Sequence, residues 1–125
     1  MSKMKCAVMP KEFLPPKHQR TMVSKLQKRV RSFVESHHLQ VDVKHRVLDL
    51  ASEVGELSKE VLKSTNYGKK KFSPSSNWST ELGDITFVLV CLANTTGVDL
   101  EKALSSALKK YRTRAKKTKQ IGSGA

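Results

Sequence analysis

From about Arg20 to His38, the apolar residues Met22, Val23, Leu26, Val30, Phe33 and Val34 recur at helical spacing, with Lys25, Lys28, Arg29 and Arg31 between them. This predicts a first amphipathic helix. Asp42 is suited to cap a second helix running to about Ser64, and a basic loop over residues 65–73 follows, with Gly68 and the lysines Lys69, Lys70 and Lys71. Ser73 followed by Pro74 reads as a cap and first-turn proline for a third helix ending near Thr96, where Gly97 stops it. Asp99 then caps a fourth helix from Leu100 to about Lys116. No strand-like alternation of useful length and no internal repeat occurs. The predicted fold is all-α, a four-helix bundle over residues 20–116, with a basic arm at 1–19 and a fraying tail at 117–125.

The third helix differs from the others. Residues 85–93 are apolar almost all round, so it should lie at the centre of the bundle or in a subunit interface. Its first turns nevertheless carry Glu81 and Asp84. On the second helix, at about 100° per residue, Asp49, Glu53, Glu56 and Glu60 form one stripe beside a predicted core stripe of Leu50, Val54, Leu57 and Val61. Gathering ionised carboxylates in a partly buried place costs repulsion and desolvation unless a cation offsets both. All-oxygen ligands select a hard ion, Mg²⁺ or Mn²⁺. Gly55 and Gly83, each between paired acids, suggest close approach of a neighbouring helix or ligand, since a helical glycine costs about 1 kcal/mol relative to alanine.

Charge sharpens this picture. The 125-residue chain has a formal net charge of +13, which calls for an anionic partner, yet six of its eleven acids fall between residues 49 and 84. An acidic centre in a basic chain suits a divalent ion that in turn binds a polyphosphate. About 38% apolar residues can supply one core. No apolar run approaches the ~18 residues of a membrane span, and the stretch from Met1 has no contiguous apolar segment. Cys6 and Cys91 lack CxxC spacing and read as reduced thiols, so a cytoplasmic protein is expected.

Glu53-Val54-Gly55-Glu56-Leu57 and Glu81-Leu82-Gly83-Asp84, with 24 residues between Glu56 and Glu81, resemble the paired ExxE and ExxD motifs of the MazG-type all-α nucleoside triphosphate pyrophosphohydrolases. The resemblance extends over roughly Gln27 to Arg114. It implies that Glu53, Glu56, Glu81 and Asp84 bind Mg²⁺, with Mn²⁺ a possible substitute. It further implies that water attacks the α-phosphorus of a nucleoside triphosphate, releasing a nucleoside monophosphate and pyrophosphate, and that the subunits form a homodimer or homotetramer through their central helices.

Other residues carry two readings each. Lys69, Lys70, Lys109, Lys110, Arg112 and Arg114 are candidates for the substrate phosphates or plain solvated cations. Asn94 is a nucleotide contact or a helix-end hydrogen bond; Trp78 stacks on a base or, the preferred reading, anchors the core. His45 reaches substrate or is structural. Glu60 supports the metal site or is exposed. Glu35 and His38 make one Glu-x-x-His element, whereas di-iron bundles use two. A nucleic-acid-binding module without catalysis is the competing reading of the charge.

Overall fold

The computed structural model describes residues 21–122, with side chains as far as Lys119. Four helices follow one another: α1 (Met22–Ser36), α2 (Val43–Ser64), α3 (Trp78–Thr96) and α4 (Leu100–Gly122), with no strand among the described residues. The all-α reading holds. The proposed arm at 1–19 lies outside the described residues.

Local chemistry explains most helix ends. Thr21 caps α1 by accepting the Ser24 N–H at 3.1 Å, and Asp42 caps α2 by accepting the His45 N–H at 2.9 Å. Asp99 accepts the N–H groups of Glu101 and Lys102 at 2.9 and 3.2 Å, opening α4. Gly97 closes α3 in the left-handed region at φ 71°, which a residue without a Cβ adopts freely.

Two boundaries differ from expectation. α3 begins at Trp78 rather than at Ser73-Pro74, because the Ser75 hydroxyl accepts the Asn77 N–H at 3.2 Å and the Ser75 carbonyl accepts the Trp78 N–H at 3.2 Å. That turn competes with an earlier helical start. At the other end α4 continues past residue 116 to Gly122, since Lys117, Thr118, Lys119 and Gln120 contain no breaker and lysines suit a helix C-terminus.

α3 is the central element: it packs against both α2 and α1, and α1 also carries α4. Among the described residues, the buried apolar side chains Val88, Val90, Cys91 and Ala93 all lie on it. The Phe33 ring meets Phe87 edge-on at 6.0 Å to hold α1, and the Arg46 guanidinium lies 5.8 Å from the Phe87 centroid to hold α2. Buried Gln27 supplies a polar clamp. Its amide donates to the Asn94 side chain at 3.2 Å and the Val98 carbonyl at 2.9 Å, while its oxygen accepts the Leu100 N–H at 3.0 Å. One side chain thus joins α1 to the α3–α4 corner.

The face that α2 buries is rotated from the predicted core stripe. Arg46, Leu50, Glu53, Leu57, Glu60 and Ser64 are its least exposed positions, whereas Val54 and Val61 are 47% and 39% exposed. The acidic stripe therefore turns toward α3, and an apolar stripe of Val47, Val54 and Val61 faces away from the core. No single helix among the described residues is long and apolar enough to cross a membrane.

Candidate metal centre

The rotation of α2 sets Glu53 opposite the opening turns of α3. Glu53, Glu81 and Asp84 each offer a carboxylate oxygen, and the three oxygens lie within 4.8 Å of one another. Glu53 and Glu81 are half-buried, and Asp84 is exposed on the solvent side. Burial raises the Glu81 carboxyl above its ordinary value, and the charges of Asp84, Glu56, Glu53 and Glu60 raise it further. Glu81 also sits in the first turn of α3, where the helix dipole favours an anion. Desolvation and repulsion outweigh that help. The cluster is thus a place where a cation lowers the free energy of the folded chain.

Four carboxylates were expected, and the structure joins three in this group. The Glu56 side chain turns aside to Lys59, whose ammonium donates at 2.7 Å. This is an i,i+3 pair on a half-exposed helix face, where a neighbouring ammonium captures the carboxylate more readily than three like charges do. The pairing raises the Lys59 pKa, first through the hydrogen bond to Glu56 and then through its charge, with Glu81 adding to the effect. Lys59 is thereby a cation tied to the acidic cluster, signalled in the sequence only by its i,i+3 spacing from Glu56.

Glu60 is buried at 5% exposure and is neither a loose surface acid nor part of the three-oxygen group. It accepts the Ser75 hydroxyl at 2.5 Å and the Lys63 ammonium at 3.4 Å. The Ser75 hydrogen bond holds its pKa down more strongly than burial pushes it up, with Lys63 and Asn77 helping.

The glycines do not mark close approach: a Cβ built on Gly55 or Gly83 meets nothing within 4 Å. Their small size leaves open space beside the acids. Asn94 takes the helix-pairing role, its oxygen accepting from Gln27 and its amide donating to the Gln27 carbonyl at 2.9 Å. Trp78 is half-buried and meets Phe72 edge-on, with centroids 4.9 Å apart. His45 pairs with its own cap, Asp42, at 2.9 Å, and its side chain is 73% exposed.

Lys69 and Lys70 are exposed on a hydrogen-bonded turn, their N–H groups donating to Asn66 and Thr65 carbonyls at 3.3 and 2.9 Å. Lys110, Arg112 and Arg114 are exposed on α4, whose main packing partner is α1 rather than the helices bearing the acids. Glu35 and His38 fall at the end of α1, and no histidine belongs to the three-oxygen group. Cys91 is free and buried, and burial pushes its thiol pKa up, which suits a packing residue.

A protein-family model, the MazG nucleotide pyrophosphohydrolase domain, matches residues 43–119. The chain belongs to the MazG nucleotide pyrophosphohydrolase family. The match spans α2, α3 and most of α4, and so includes Glu53, Glu56, Glu81 and Asp84. Among curated proteins, YpjD of Bacillus subtilis (strain 168), an uncharacterised protein, is 41% identical over 70 residues, covering 54% of this chain and 61% of that relative's length.

Two solved structures share the fold. One is a Bacillus-conserved MazG protein described as a nucleotide pyrophosphohydrolase, with a TM-score of 0.61 and 28% identity over 74% of this chain and 92% of the other. The second is YpjD of Bacillus subtilis, described as a candidate pyrophosphatase, with a TM-score of 0.62 and 30% identity over 77% of this chain and 98% of the other. The MazG helical arrangement is therefore shared over nearly the full length of both.

Proposed function

We propose that this MazG-family chain is a Mg²⁺-dependent nucleoside triphosphate pyrophosphohydrolase that yields a nucleoside monophosphate and pyrophosphate. The observation that carries the reading is the convergence of Glu53, Glu81 and Asp84 from two helices within 4.8 Å. Three hard oxygen donors suit Mg²⁺ or Mn²⁺ and leave positions for water and phosphate oxygens. Bound there, the ion would supply charge neutralisation and activation of the attacking water. Glu53 from α2 and Glu81 and Asp84 from α3 would hold the ion between the two helices. Glu56 lies outside the three, and release from Lys59 frees it to join them or to take the water's proton. Lys59, once released, is the cation next to the acids that can meet the substrate's phosphates.

Assembly into a homodimer or homotetramer is part of the same reading. Val47 and Val54 on α2 are 50% and 47% exposed, and Leu82 and Leu89 on α3 are 43% and 45% exposed. Apolar side chains in such number on the two central helices favour a second copy as cover.

A panel of ribo- and deoxyribonucleoside triphosphates incubated with Mg²⁺, with pyrophosphate and monophosphate both quantified, tests the activity. One-to-one release of the two products is expected, and it should cease on chelation. Folded Glu53→Gln and Asp84→Asn variants that both kept near-normal turnover would overturn the assignment.

A further inference from the structure

Seven of the eleven residues from Lys109 to Lys119 are lysine or arginine, and no acid follows Glu101 in the chain. Taking Thr113 as the centre line and about 100° per residue, Lys109 and Lys117 lie about 40° to either side, and Lys110 and Lys116 about 60°. Arg112, Arg114 and Lys119 fall within about 120°. Leu104, Leu108, Tyr111 and Ala115 occupy the opposite side of the helix. Ser106, Lys109, Lys110, Thr113, Arg114 and Lys117 line a shallow groove along this face, and every residue from Leu108 to Lys119 is exposed. None of the seven cations has a carboxylate within salt-bridge distance among the described residues. α4 is 23 residues long and packs on α1, which has 15.

We infer that the basic outer face of α4 binds the sugar–phosphate backbone of nucleic acid. Cations spaced three and four residues apart on one helix repel one another, and a polyanion laid along them removes that repulsion. The strip from Lys109 to Lys119 is about 15 Å long, and at 3.4 Å per phosphate it matches about four consecutive phosphates of one strand. That is longer than a triphosphate needs. A lipid surface fits less well, because the centre of the charged face points away from Leu104, Leu108 and Tyr111, which would have to enter the bilayer. The Lys110 ammonium and Arg114 guanidinium rest 5.2 and 6.0 Å from the Tyr111 centroid, so two of the cations are held along the helix by its ring. The contact is to backbone charge and carries no base preference.

The test is fluorescence anisotropy of a labelled 20-nucleotide strand, and of the same sequence as duplex, with the full chain in EDTA. Hydrolysis is then silent, so the outcome is independent of the pyrophosphohydrolase reading. Neutralising about four phosphates predicts affinity falling about 50-fold for the single strand, or about 150-fold for duplex, between 50 and 200 mM salt. The triple variant Lys116→Gln, Lys117→Gln, Lys119→Gln should weaken binding and lower the salt slope by at least about 1. Absence of binding at 50 mM salt would overturn the inference, as would binding that the triple variant leaves unchanged. Tighter binding to phosphatidylserine-containing vesicles than to either oligonucleotide would overturn it in favour of a membrane.

Discussion

The Ser75 hydroxyl donates a 2.5 Å hydrogen bond to the buried carboxylate of Glu60 and accepts the Asn77 N–H at 3.2 Å. Asn77 is the cap position of α3 but makes no side-chain capping bond, so the Glu60–Ser75 pair stands in its place. The Asn77 carbonyl in turn accepts the Glu81 N–H at 3.0 Å. α2 therefore anchors the residues just ahead of α3, one turn before Glu81.

Ser75→Ala should loosen that turn. It removes the leading cause of the depressed Glu60 pKa and leaves a buried carboxylate with Lys63 and Asn77 as its remaining partners. Support of this kind typically affects metal affinity by about 10-fold or more, and Mn²⁺ titration followed by electron paramagnetic resonance measures it directly. An affinity equal to that of the parent chain would argue against the anchoring role.

The same pair sets an acid dependence. Because the folded pKa of Glu60 lies below its ordinary value of 4.5, its ionisation stabilises the fold above pH 4.5, and that contribution is lost as pH falls through the lowered value. Ser75→Ala should lower Tm at pH 7, and the gap from the parent chain should narrow on acidification. A gap that stays constant from pH 7 to pH 3 would contradict this.

Glu81 runs the other way. Its folded pKa lies above its ordinary value of 4.5, so in metal-free protein its ionised form costs stability at neutral pH, and that cost fades as pH falls toward the raised value. Glu81→Gln should raise Tm at pH 7 in EDTA, abolish the Tm increase given by Mg²⁺, and reduce turnover by at least about 100-fold, the range lost with groups that act in a transition state. Calorimetry with and without Mg²⁺ separates these effects. A Tm unchanged in EDTA and still raised by Mg²⁺ would count against the metal centre.

Gln27 should be the most sensitive polar residue away from the carboxylates. Gln27→Leu removes the donor to Val98 and Asn94 and the acceptor for the Leu100 N–H, and one partner left unpaired costs about 1–3 kcal/mol. Urea denaturation should show at least that loss with an unchanged slope. Metal affinity, set on α2 and α3, should stay within about threefold of the parent, a difference under about 1 kcal/mol.

The glycines should divide by backbone conformation. Gly97→Ala forces a Cβ into φ 71° and should destabilise by about 1–2 kcal/mol. Gly55→Ala and Gly83→Ala, in helix interiors with open space around the new methyl, should each stabilise the metal-free subunit by about 0.5–1 kcal/mol. Destabilisation by both would mean that another chain approaches those positions in solution.

What the sequence alone determined was local. Asp42, Asp99 and Gly97 marked their helix ends because capping depends on residues three or four positions away, and the apolar run at 85–93 marked the central helix because periodicity is a property of one segment. The order and spacing of Glu53, Glu56, Glu81 and Asp84 were legible for the same reason. Tertiary structure decided which way each helix turned. α2 presents Glu53, Leu57 and Glu60 to α3 and leaves Val54 and Val61 outside, a choice that depends on what the opposite face offers and not on its own pattern. The Lys59 pairing was readable at i,i+3 once Glu56 was known to lie on the exposed side. The bond between Glu60 and Ser75, 15 residues apart across the connecting loop, was not readable, since only the packed position of α3 brings hydroxyl and carboxylate together.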